Sequence, residues 1–305
     1  EVEKSKENQT AYAAKIKNID TLKNSSSGGV FSVLANEYIK NNGKVYGAAY
    51  DENFNVMHIG VDTLEGLKKI RGSKYVQSNT LDTYNNVKKD LQEGKQVLYS
   101  GTACQIAGLN KFLEKNYKNL LTVDIVCHGV PSQKLFKKYK EYIENKYNGR
   151  IEEISFRNKE KRGWGLNLKI KLDNGKIIRK FAYVDPYYKA FVNGDIYREC
   201  CYNCKYANSN RVGDITLADY WGLANVHPEF YDGKGVSAVI VNTQKGIDTW
   251  NKVKDELEYI ETSVEFIKKY NSNLVKPTYR KNSRDYIYNK LDEKDFKKFI
   301  KENLK

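Results

Sequence analysis

Three of the chain's five cysteines stand together as Cys200-Cys201-x-x-Cys204. A Cys-x-x-Cys pair is a chelate spacing that sets two thiolates on one metal ion or cluster, and it also serves redox disulfides. The other two, Cys104 and Cys127, each follow a short apolar run, QVLYS (96–100) and LLTVDIV (120–126). Cys104, Cys127, Cys201 and Cys204 together suit zinc or an iron–sulfur cluster, and residue type does not choose between them. The plainer alternative makes Cys104 and Cys127 small buried hydrophobes. Cys127-His128 is a poor nucleophile–base pair, because adjacent side chains on an extended chain point opposite ways. The HExxH, Walker and GxGxxG patterns are absent.

Other stretches carry binding chemistry. In SSSGGV (25–30), Ser26, Ser27, Gly28 and Gly29 open a helix. Small residues and free amides at such a start make an anion site suited to a pyrophosphate, while the plainer reading is an N-cap by Ser27. GSKYVQS (72–78) sets Lys74, Tyr75, Gln77 and Ser78 on a loop between two helices, polar and ring-stacking equipment without a named ligand. FRNKEKRGWG (156–165) packs Arg157, Lys159, Lys161 and Arg162 before Gly163-Trp164-Gly165, as a clamp for an acidic substrate or as an exposed hairpin link. Asp219-Tyr220-Trp221-Gly222 offers aromatics for stacking or for the core.

The elements that must position these residues follow from periodicity and punctuation. QVLYS–GTAC–helix and LLTVDIV–CHGVPS–helix repeat a strand–turn–helix unit, which predicts two parallel strands. Cys104 and Cys127 then lie just past the carboxyl ends of strands, the edge where open α/β sheets build their sites. After residue 150, IEEISFRN, LNLKIKLDNGKIIRKFAY, DITLAD and VSAVIVN read as strands with antiparallel pairing, with Asp173-Asn174-Gly175 as a hairpin turn. The predicted fold is α/β to α+β, a parallel βαβ core with an antiparallel or mixed sheet portion. Residues 1–24 read as a polar leader or linker. An α/β portion with the crevice spans 25–150, an α+β portion with the Cys-x-x-Cys spans 151–260, and a helical tail spans 261–305 with an amphipathic helix near 292–303.

Composition narrows the class. At 305 residues with 12% aromatics, the chain can bury a proper core. Apolar runs fall short of the ~18 residues of a membrane span. The net charge of +14 calls for anionic partners, but the lysines mostly fall at helix-surface spacing, against a nucleic-acid stripe. Five cysteines without a secretory signal place the chain in the reducing cytoplasm, where clustered thiols bind metal or do chemistry. The chain opens on Glu1 without Met, which reads as a fragment or a processed chain.

Taken in order, SSSGGVFS, GSKYVQS, SGTACQIAGL, DIVCHGVPS, SFRNKEKRGWG, CYNCKYA, RVGDITLADYWG and DGKGVSAVIVNT resemble the coenzyme F420 hydrogenase/dehydrogenase beta-subunit family, over about residues 10 to 250. The resemblance implies a flavoprotein holding FAD and a 4Fe-4S cluster. It would pass electrons between a ferredoxin or ferredoxin-like domain, FAD and an anionic two-electron partner, which in methanogens is F420. Plant and cyanobacterial relatives reduce chlorophyll-type pigments. Many members carry an N-terminal ferredoxin-like domain, which this sequence lacks. The resemblance makes Cys104, Cys127, Cys201 and Cys204 the cluster ligands and leaves Cys200 out. It turns Ser26–Gly29 and Lys74, Tyr75, Gln77 and Ser78 into candidate FAD contacts. Ala103 departs from the proline common at that position. A zinc-stabilised or degenerate binding module, tied to polysaccharide biosynthesis, is the competing reading.

Overall fold

The computed structural model describes residues 9–291; the helix expected near 292–303 lies outside them. Among the described residues eleven strands form two sheets: β1 (Thr10–Ile16), β2 (Lys44–Tyr50), β3 (Val56–Val61), β4 (Val97–Thr102), β5 (Leu120–Ile125), β6 (Ile151–Ser155), β7 (Asn167–Leu172), β8 (Ile177–Phe181), β9 (Ile215–Asp219), β10 (Ser237–Val241) and β11 (Leu257–Thr262). The large sheet runs β11-β1-β10-β9-β5-β4-β2-β3 and the small one β6-β7-β8. Pairs β2/β4, β4/β5 and β5/β9 are parallel, and the outer strands are antiparallel. The fold is thus the expected mixed α/β sheet with a small antiparallel partner.

The parallel centre forms where the sequence alternates apolar strand and amphipathic helix. Val97, Leu98 and Tyr99 in β4 and Leu121 and Val123 in β5 are fully buried, as parallel strands covered on both faces must be. Helix Ala103–Leu113 starts directly at the end of β4, where the Gln105 side chain accepts from the Thr102 N–H at 3.0 Å. Helix Gln133–Tyr147 is capped by the Ser132 hydroxyl, which accepts from Leu135 N–H, and buries Leu135, Phe136, Tyr139 and Ile143. The small sheet packs Leu168, Ile170 and Leu172 into that helix's aromatic layer, with Phe136, Tyr187 and Tyr188. Its β7–β8 turn falls at Asp173-Asn174-Gly175, and Gly175 takes φ +80°.

Three expectations change. Residues 10–16 are not linker: β1 lies inside the large sheet between β10 and β11, burying Ala11, Ala13, Ala14 and Ile16. Its alanines carry weak strand propensity, and helix Ile19–Lys23 follows it directly. DITLAD does not close an antiparallel unit of its own; β9 sits parallel beside β5 and antiparallel beside β10. Ser27 does not cap the next helix, Val30–Lys40. Gly29 holds the N-cap position at φ +81°, and the Ser27 hydroxyl instead donates to Val236 O at 2.9 Å.

Candidate functional site

The carboxyl edge of the parallel strands gathers the chemistry. Thr102 pairs with Ile125, and Ile125 pairs with Leu217. Cys104, Cys127 and Asp219 each stand two residues beyond one member of that row, at the same rank, Cys104 in the helix after β4 and Asp219 still paired with Ser237. The segment carrying Cys201 and Cys204 is pinned to this edge by the Arg198 N–H, which donates to Val130 O at 2.9 Å. Gly129, at φ +138°, lies flat on Tyr197, whose ring would sit 2.3 Å from a Cβ there.

All five thiols are free; Cys104 and Cys200 are exposed, and Cys127, Cys201 and Cys204 are half-buried. Burial pushes the Cys127 thiol up to about 12, with Cys104, Cys201 and Cys204 all close enough to add to the rise. Cys201 is pushed up to about 11 by burial, with Cys200 and Cys104 contributing. Those mutual influences show that the thiols of Cys104, Cys201 and Cys204 lie near enough to Cys127 to affect its charge. Among the described residues, no three His, Cys, Asp or Glu side chains converge tightly enough to hold a single metal ion. One tetrahedral zinc with ~2.3 Å bonds needs sulfurs about 3.8 Å apart. A cluster that gives each sulfur its own iron needs a wider ring.

The two loops read as flavin contacts meet one another. The Ser26 hydroxyl accepts from Ser73 N–H at 2.8 Å and from the Ser73 hydroxyl at 2.9 Å. Gly28 is required by close approach, since a Cβ there would fall 2.1 Å from Ala14 O. Its N–H donates to the Ser237 hydroxyl at 3.0 Å, so that amide already has a partner. Lys74 donates to the carbonyls of Lys69 and Arg71 at 3.0 and 2.9 Å, and burial lowers its pKa to about 7. Tyr75 stacks on Phe191 at 4.1 Å, so that contact occupies its ring. Gln77 is held by its backbone, donating to Pro131 O and accepting from Gln133 Nε2. The Ser78 hydroxyl meets His58 Nδ1 at 2.7 Å.

Beside this loop the structure leaves two buried polar atoms without a partner among the described residues, Tyr50 Oη and Arg71 Nε. Buried polar groups are normally satisfied, so a polar ligand fits here. Arg71 escaped sequence reasoning because it reads as the end of the preceding helix. His58 escaped as a lone histidine on a strand.

Burial lowers the pKa of His58 to about 4, and its Nε2 donates to Ser100 O at 3.0 Å. The ring therefore stays neutral in the fold at pH 7. An unfolded histidine gains its proton near pH 6.5, so His58 contributes full stability above that pH. That contribution, about 3 kcal/mol in all, is lost as pH falls through about 4. Urea titrations from pH 7 to 4 should show a shallower decline for His58→Gln than for the parent.

At β9 the edge becomes aromatic and charged. Arg157 is buried and bidentate to Asp219, at 2.5 and 3.1 Å. Trp164 Nε1 donates to the same carboxylate at 3.1 Å. Trp164 and Trp221 pack at 4.6 Å with the guanidinium over both rings. Lys159 is buried and donates to the carbonyls of Leu22 and Ser27, tying this corner to the 25–29 loop. Burial, helped by Arg157, lowers its pKa to about 8.

The comparisons with known proteins bear on this edge. Residues 94–265 match the family model for the C terminus of the coenzyme F420 hydrogenase/dehydrogenase beta subunit. The matched span includes Cys104, Cys127, Cys201 and Cys204 and excludes both loops at 25–29 and 72–78. Among solved structures, a chain of the F420-reducing NiFe hydrogenase complex from Methanosarcina barkeri, in xenon-derivatised form, superposes with a TM-score of 0.59. It is 17% identical, with 88% of this chain and 89% of that chain covered, a likeness of fold. No curated protein sequence matches the chain.

Proposed function

Since the chain belongs to the coenzyme F420 hydrogenase/dehydrogenase beta-subunit family, a family of oxidoreductase subunits, we propose that it is a flavin- and iron–sulfur-dependent electron-transfer enzyme. The observation that supports the reading is that Cys104 and Cys127 follow neighbouring parallel strands at one sheet edge, to which the segment carrying Cys201 and Cys204 is tied through Arg198. These four would hold a 4Fe-4S cluster. Arg71, Lys74, Tyr50 and the Ser26–Ser73 contact would hold FAD, with the unpartnered Arg71 Nε and Tyr50 Oη as the residues that ask for a ligand. When bound, the flavin supplies exchange between hydride and single-electron transfer, and the cluster supplies the one-electron outlet.

The chain's own residues then have defined tasks. The raised thiol pKa values mean that ligation must release protons from Cys127 and Cys201. Trp164 and Trp221 pack together at the end of β9, and the Arg157–Asp219 pair fixes their rings. The electron donor is a ferredoxin or a ferredoxin-like domain, and the hydride partner is an anionic small molecule of the F420 kind. Among the described residues no helix is long and apolar enough to cross a membrane.

An anaerobic absorption spectrum, with iron, sulfide and flavin assays, tests the proposal. Flavin bands near ~450 nm over a broad iron–sulfur shoulder, with about four irons per chain, are expected. A protein that stays colourless after anaerobic reconstitution with iron, sulfide and FAD, or that takes up one zinc instead, overturns it.

A further inference from the structure

A second charged feature lies at the β8 edge of the small sheet. A cavity of about 350 Å³ opens between the 158–168 segment and β8. Lys161, Arg162, Arg179 and Lys180 line it, and no carboxylate does. That volume is at the small end of the range for ligand pockets, about 300–1,000 Å³.

The cations are not all neutralised. Lys169 and Arg179 face each other across β7 and β8, a like-charge pair. Glu160 bridges them, at 2.5 Å to Lys169 and 2.9 Å to Arg179, and both contacts lower its pKa to about 2. Lys180 pairs with the buried Asp185 at 3.1 Å. Lys161 and Arg162 have no carboxylate partner among the described residues. Lys161 and Arg162 bring uncompensated charge to the cavity, and Arg179 adds a guanidinium already paired with Glu160.

The remaining lining suits an organic skeleton. Asn158 and Asn167 present amides, and the Asn167 amide is already oriented by donating to Gly163 O at 3.2 Å. The exposed Ile177 side chain supplies apolar surface, and the buried Leu168 backs the cavity from the core.

We propose that this cavity binds a small organic molecule carrying two or more negative charges, phosphate or carboxylate, with Lys161 and Arg162 as the main anion contacts. Gly163 and Trp164 follow directly in the chain, and Trp164 N–H is bound to Gly233 O at 3.0 Å. Occupancy on one side of the 158–165 loop would therefore be felt by the tryptophan on the other. The site stands on its own cavity and charges, and a failure of the redox reading would leave it unaffected.

Citrate and inorganic pyrophosphate, titrated calorimetrically into the full chain at constant ionic strength, test it. One saturable site per chain is expected for at least one probe, with a change in tryptophan fluorescence. The Lys161→Ala/Arg162→Ala double variant should weaken it ~10-fold or more by removing charge-assisted contacts. Lys111→Ala/Lys118→Ala, an equal charge loss on a distant surface, should leave it unchanged. Glu160→Gln should tighten it severalfold by freeing Arg179 and Lys169. Binding that survives the Lys161/Arg162 double variant belongs elsewhere and overturns the proposal. So do equal losses in both double variants, and so does the absence of saturation.

Discussion

Cys127→Ser should remove nearly all iron from the reconstituted protein, from about four irons per chain to fewer than one. The expectation rests on the thiol's position just past β5, within electrostatic reach of the other three proposed ligands. Cys104, Cys201 and Cys204 all add to the rise in its pKa. Loss of partners outside the coordination sphere commonly costs 10–100-fold in metal affinity, and losing a ligand itself should exceed that. Cys200→Ser is the matched control, one residue from a ligand and exposed. It should keep its iron and its colour. Iron, sulfide and absorbance on both variants, with circular dichroism to confirm the fold, decide the matter. Full iron in Cys127→Ser removes the cluster from this edge, and equal loss in Cys200→Ser reassigns the fourth ligand.

The second large effect is on stability. Asp219→Ala should destabilise the protein by about 3–5 kcal/mol in urea unfolding, the usual result of stripping one partner from a buried ion pair. Arg157 would keep its Nε contact to Gly165 O but lose both hydrogen bonds to the carboxylate. Trp164 Nε1 would lose its acceptor in the same step. Desolvation works against the Arg157 charge, and Asp219 is the largest influence holding it on. The double variant Arg157→Met/Asp219→Ala should recover much of the loss, because it leaves no buried charge behind. A loss below about 1 kcal/mol in the single variant would mean the pair behaves as an exposed one.

Much of this edge could be read before the fold was seen. The two strand–turn–helix units announce β4 and β5 by their apolar runs, and parallel pairing places Cys104 and Cys127 together. The turn at Asp173-Asn174-Gly175 is local chemistry and equally legible. What failed to show was long-range. β1 is alanine-rich, because small side chains suit a strand packed between β10, β11 and the covering helices, and that leaves little apolar pattern. The pairing of β9 with β5 joins segments about ninety residues apart, beyond any periodicity. Ser27 has the chemistry of a cap, but the sheet beside it offers Val236 O as a competing partner. Arg71 and His58 matter through unpaired or neutral burial, which a sequence does not display.

The common rank of Cys104, Cys127 and Asp219 bears on how this chain can change over time. Neighbouring strands are about 4.8 Å apart, so the hydrogen-bond ladder acts as a ruler for the groups that leave it. Residues gained or lost in the helices and turns between strands leave the ruler's marks in place. A single deletion inside β5 does not, because it shifts every later residue to the opposite face. Length variation among descendants of this gene should therefore gather in the connections, at Asn116–Asn119 or near Asn208, and be purged from six-residue stretches such as Leu120–Ile125.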